Sequence, residues 1–103
     1  MARRVTWTEP ALEDLEAVAA YIARDSPRYA AAVVREAQEA ARSLERFSHR
    51  GRVVPELDEP AVREIFVRKF RLIYEVRGEE IFVLGFIHGA RDLGELWDRP
   101  RPK

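Results

Sequence analysis

The chain of 103 residues contains no cysteine. That absence excludes disulfides and thiolate metal sites, and it fits a reducing compartment. Two histidines with no clustered carboxylate spacing leave no basis for a metal centre. No cofactor motif is present, so none is expected. No apolar run approaches the roughly 18 residues that a membrane-spanning helix needs. Met1-Ala2-Arg3-Arg4 leads straight into a strand-like run without the apolar stretch of a signal peptide, so a cytoplasmic protein without membrane contact is expected. Charge of one sign is also lacking: Lys plus Arg and Asp plus Glu number 18 each, and neither half of the chain is a basic module. Affinity dominated by phosphate neutralisation would require a basic excess, although a local patch is compatible with zero net charge. Glycine and proline are scarce, at 5 and 6, and they fall at joints between periodic segments.

What is present fits one domain over residues 1–97 with one core. Arg4-Val5-Thr6-Trp7 reads as a short strand. Thr8 is a helix N-cap, with Glu9 and Pro10 in the first turn, where an acid suits the helix dipole and proline loses no hydrogen bond. Leu12, Leu15, Val18, Ala19 and Ile22 recur at helical spacing to about Arg24. Ser26 and Pro27 start a second helix with an alanine-rich stripe, Ala30, Val33, Ala37, Ala40, Ala41 and Leu44, ending near Phe47. The short join predicts an antiparallel helical hairpin.

Residues 48–60 read as a loop, followed by three strands. Val62–Arg68 is the first. Phe70–Val76 alternates so that Arg71 and Glu75 oppose Phe70, Leu72 and Tyr74. Glu80–His88 is apolar on both parities, as in an interior strand covered on both faces. Arg91–Trp97 suits a short helical turn, and the proline-containing tail 98–103 is expected to fray. The order is β-α-α-β-β-β. The expected class is α+β, a helical hairpin packed on one face of a mainly antiparallel four-stranded sheet, with part of the other face open as a groove.

These residues resemble the RelE/ParE superfamily of bacterial type II toxins over nearly the whole chain. The resemblance rests on Val5-x-Trp7-x-x-x-Ala11, Asp14-Leu15, Tyr21-Ile22, Gly51-Arg52 before Val54-Pro55-Glu56, Arg63-Glu64, Phe70 to Val76, and His88-x-x-Arg91-Asp92. It implies a toxin neutralised by a cognate antitoxin, able to oligomerise through that complex. It also implies one of two targets. ParE-like toxins bind and inhibit DNA gyrase; RelE-like toxins cleave mRNA on the ribosome. A non-toxic orphan of the same fold is the third reading.

Metal-free RNA cleavage needs a base, an acid, and cations on the phosphorane. By resemblance Arg71 and Arg91 match arginines of the nuclease site. His88 suits acid or base work because its unperturbed pKa lies near 6.5. Glu64 is a second base. Arg52, Arg63, Lys69 and Trp97 are expected contacts to substrate or target. The bland alternatives are a pairing of Arg71 with Glu75 or Glu64, a strand-end hydrogen bond at His88, and packing of Trp97 on the domain. Two departures favour the binding-type toxin. The strand Arg63-Glu64-Ile65-Phe66-Val67 lacks the lysines of RelE-like nucleases, and Trp97 stands at the position of their C-terminal tyrosine.

Overall fold

The structure is a computed structural model, and it describes residues 2–103. The elements are β1 (Arg4–Trp7), α1 (Glu9–Ala23), α2 (Pro27–Ser43), β2 (Arg52–Val53), β3 (Val62–Val67), β4 (Phe70–Arg77), β5 (Glu80–His88) and α3 (Leu93–Leu96). Five strands form one sheet in the order β1-β5-β4-β3-β2, antiparallel except for the parallel pair β1 and β5. The expected class holds. The additional strand is the two-residue β2, inside the stretch read as loop; two residues are too short for any periodicity to register.

Both hairpin helices start where the caps place them. The Thr8 hydroxyl accepts the Ala11 N–H at 3.4 Å, and the Ser26 hydroxyl accepts the Tyr29 N–H at 3.1 Å. Ala11, Leu15, Val33, Ala37, Ala41 and Leu44 are buried against Ile65, Val67, Phe70, Leu72, Tyr74, Ile81, Val83 and Phe86. Leu12, expected in that stripe, is instead exposed, and Ala11 takes its place. Small alanines let the helices sit close to the sheet. Arg68 ties the β3–β4 turn to this layer. Its backbone adopts φ 56°, which costs a non-glycine residue energy. The guanidinium offsets this with a paired contact to both Glu36 oxygens, at 2.8 and 2.7 Å, while lying over the Tyr29 ring.

The opposite face is filled rather than open. Val54, Val62, Ile73, Leu84 and Leu93 form a second cluster, with Leu57, Phe82, Ile87 and Trp97 packed against it. The loop after β2, α3 and the tail therefore cover much of the area where a groove was expected.

The two clusters explain why β5 is apolar on both parities, and a β-bulge adds a second reason. Ile73 pairs with Gly85 but Tyr74 pairs with Val83, so Leu84 is the extra residue. Ahead of the bulge Ile81 and Val83 face the helices; beyond it Phe86 does. Beyond Val83, β5 has backbone groups without a strand partner on the β1 side, because β1 ends at Trp7. Asp14 of α1 accepts the Phe86 N–H at 2.9 Å, and Arg99 donates to the Leu84 carbonyl at 3.1 Å. Arg99 and Asp14 also bond each other, at 2.5 and 2.7 Å.

The tail expected to fray is thus held. Arg101 pairs with both Glu59 oxygens, and Arg77 donates to the Pro102 carbonyl. Proline does prevent a helix there, but it does not prevent ion pairing. Replacing Asp14 with Ala leaves the Phe86 N–H and Arg99 without their acceptor. The expected cost is about 1–3 kcal/mol, read as a lower urea midpoint with an unchanged slope.

Candidate functional site

The expected site residues divide between the two sheet faces. Alternation along β3 and β4 puts Glu64, Phe66 and Arg71 on the face opposite the helices, as the spacing of Arg71 and Phe70 predicts. Arg63 and Tyr74 are paired neighbours on the helix side. Arg63 therefore lies away from Arg71. It donates from Nη1 to the Gly51 carbonyl at 2.8 Å, and its buried Nε has no partner among the described residues.

His88 is displaced by the bulge. Without it, strict alternation would align His88 with Phe82 and Leu84, on the face of Arg71. One extra residue moves it to the helix side, paired with Phe70 and in edge-on contact with that ring at 5.8 Å between centroids. The imidazole Nδ1 accepts the Ala90 N–H at 3.1 Å, and the ring is exposed.

Arg71 is 3% exposed and saturated with partners. Its Nε donates to Glu64 Oε1 at 2.6 Å, and its two terminal nitrogens bond both Glu56 oxygens at 2.8 Å. Nη1 also donates to the Arg91 carbonyl at 3.0 Å. Glu64 has a side chain with no exposure and takes a second arginine, Arg52, at 2.6 Å. The expected partner Glu75 pairs with Arg77 instead. Glu56, given no role from the sequence, is the residue that completes the cluster. Its Oε2 also accepts the Leu93 N–H at 3.1 Å. The Arg71 guanidinium holds the Glu56 carboxyl down from 4.5 to about 2; burial opposes this and the Leu93 N–H assists it. Glu56 and Glu64 in turn raise the guanidinium pKa of Arg71. A signal for Glu56 did exist: a buried arginine has five donors, and one strand carboxylate cannot satisfy them.

Arg52, more than half exposed, stacks over the exposed Phe66 ring at 5.6 Å. Lys69 and Arg91 are exposed and make no ion pair among the described residues. Gly89 joins these parts. Its N–H donates to the Lys69 carbonyl at 2.8 Å, and a β-carbon there would meet that oxygen and Phe66 at 3.1 Å. Trp97 is half-buried in the second cluster, against Gly85 and under Arg99. Of the expected site residues, the exposed ones, Arg52, Lys69, His88 and Arg91, lie at one sheet end beside Phe66. Among the described residues no group of histidines and carboxylates is placed to hold a metal ion.

Residues 5–93 match the family described as the ParE toxin of the type II toxin-antitoxin system, parDE. The chain belongs to that family and is a toxin of the RelE/ParE superfamily. Among solved structures it is similar to a chromosomal ParDE toxin-antitoxin system from P. aeruginosa. That match has 26% identity, 84% of this chain and 96% of that one covered, and a TM-score of 0.69. It is also similar to the toxin-antitoxin complex RelBE2 from Mycobacterium tuberculosis, at 25% identity, with 85% and 99% covered and a TM-score of 0.58. No curated protein matches it.

Two outcomes test the cluster. Arg71→Met strands Glu64 and Glu56 in a partly apolar site and is expected to cost about 3–5 kcal/mol. Adding Glu64→Gln should recover part of that loss, as a double-mutant cycle by urea unfolding would show. The second outcome concerns pH. The carboxyl of Glu56 has a folded pKa below its ordinary value, so its contribution is complete above about 4.5 and is lost as pH falls from there toward 2. Unfolding midpoints should fall across that window, and less steeply in Glu56→Gln.

Proposed function

We propose that this chain is a growth-inhibiting toxin of the ParE type, acting by binding DNA gyrase rather than by cutting RNA, and neutralised by a cognate antitoxin. One observation carries the preference for binding over cleavage. The four residues a nuclease would combine are not combined: Arg71 and Glu64 neutralise each other in a buried cluster, and His88 projects from the other sheet face. A cation bonded to two carboxylates has little charge left for a phosphorane, and both oxygens of the Glu64 carboxylate are already engaged by arginines. Membership of the ParE family supports the same reading. Both similar structures are of toxin-antitoxin systems, which supports an antitoxin partner here.

Within this reading Arg71, Glu64 and Glu56 are positioning residues. They fix the backbone of the turn at Arg91, and the exposed Arg91, Lys69, Arg52 and Phe66 supply the contact surface. An aromatic flanked by arginines is a frequent binding hot spot.

The RelE-like alternative, a ribosome-dependent mRNA endonuclease, draws on one specific observation. Lys69, His88 and Arg91 are exposed at the same sheet end, where β3 turns into β4 and β5 ends. A supercoiling assay with purified gyrase, paired with primer extension on mRNA from induced cells, separates the two. Inhibited supercoiling with an intact message is expected. Uninhibited gyrase together with ribosomal A-site cuts would overturn the proposal. Arg91→Ala should keep the unfolding free energy within about 0.5 kcal/mol, as exposed substitutions do, while relieving growth arrest by about tenfold or more in colony counts.

A further inference from the structure

The connection from α2 to β2 concentrates positive charge that the rest of the molecule neutralises. Arg42, Arg46, Phe47, His49 and Arg50 are all exposed, and the buried Ser48 pins the segment between them. Arg3 arrives from the start of the chain, donating from Nη1 to the Ser48 hydroxyl at 2.5 Å and from Nε to the Gly78 carbonyl at 2.8 Å. Arg50 donates to the Ser43 hydroxyl at 2.8 Å. Among the described residues none of these four arginines pairs with a carboxylate, whereas Arg52, Arg68, Arg71, Arg99 and Arg101 all do. Zero net charge therefore conceals a local excess.

The shape is specific too. Arg3, Arg46, Phe47, Ser48, His49 and Arg50 wall a shallow depression of about 440 Å³ that contains no carboxylate. A second depression, of about 330 Å³, lies on the other side of Arg46 and Phe47 and includes Arg42 and Ser43, with Glu39 and Glu45 at its wall. Phe47 is 64% exposed and is shared by both depressions, so it stands between them as a ridge.

We propose that this patch binds single-stranded nucleic acid, with phosphates held by Arg3, Arg46 and Arg50 and a base stacked on Phe47. Guanidinium groups match phosphate geometry, and an exposed ring between them is a stacking platform that accepts any base. An acidic peptide suits the patch less well. Its apolar anchor would need a pocket, and the depression is walled by three arginines, an imidazole and a hydroxyl, while Phe47, the large apolar group lining it, is itself exposed. The patch lies away from Lys69, His88 and Arg91, and it approaches the proposed contact surface only at Arg52, two residues from Arg50. Arg3 places it at the β4–β5 turn, while Lys69 and His88 lie at the other end of β4, whose eight residues span roughly 25 Å. The inference therefore stands or falls independently of the gyrase reading.

The test is fluorescence anisotropy on the intact protein with labelled octamers of deoxythymidine and of uridine, titrated with salt. Three phosphate contacts give a slope of log affinity against log salt near about −2, and each of Arg46→Ala and Arg50→Ala should reduce it by about 0.7. Phe47→Ala should weaken binding about 5- to 100-fold at every salt concentration with an unchanged slope. Circular dichroism melting verifies that these exposed substitutions leave the fold intact. Three results would each overturn the proposal: no octamer binding at low salt, variants that bind as the parent does, or tighter binding of an aspartate- and glutamate-rich octapeptide than of either oligonucleotide.

Discussion

One guanidinium, that of Arg71, holds three separate stretches of chain in a single arrangement. Glu64 comes from the neighbouring strand, Glu56 from the loop after β2, and the Arg91 carbonyl from the turn after β5. With Arg52 included, the cluster contains two positive and two negative groups and is neutral as a unit. Burying such a group adds little net stability, because desolvation offsets most of the attraction. Its value lies in geometry. A charge taken out of water tolerates no other arrangement, so the loop, the sheet and α3 can dock in only one register. The apolar residues around it, Val54, Leu93 and Ile73, would pack acceptably in several registers without it.

Most of the frame was legible in the sequence, because it follows from short-range rules. Thr8 and Ser26 announce the helix starts, the stripe from Ala30 to Leu44 announces the buried face of α2, and alternation along Phe70–Val76 fixes which side Arg71 occupies. The illegible features depend on contacts between distant residues. The bulge at Leu84 has no local signature, since Ile, Val, Leu and Phe suit either face of a strand covered on both sides. Its effect is nevertheless large: one unpaired residue carries His88 across the sheet. The tail misled for a related reason. Pro100 and Pro102 speak only to local helix formation, while the ion pairs of Arg99 and Arg101 reach Asp14 and Glu59 across the fold.

These long-range facts bear on how a shared fold serves different chemistries. A small sheet with a hairpin on one face fixes neither a target nor a reaction. In this chain sheet parity separates His88 from Arg71 and Glu64, which a family likeness would place with it in one catalytic group, and Arg71 is engaged internally. What reaches the surface at that end is a set of exposed side chains, Arg52, Phe66, Lys69 and Arg91, next to the buried ion cluster. Rigid display of arginine and aromatic groups favours recognition, since little conformational freedom is lost on binding.

The Asp14–Arg99 closure of the β5 edge has a consequence for the order of events during synthesis. The helical hairpin contains only local contacts and can form as soon as it is made. β1, by contrast, has no strand partner until Glu80–Val83 exists, and the open backbone beyond it has no donor until Arg99 has been added. The earliest strand is therefore among the last that can be placed in the sheet. Until β3, β4 and β5 have been made, the apolar stripe of the hairpin has no sheet to cover it, and a partner acting at that stage would meet the helical segment before any sheet exists.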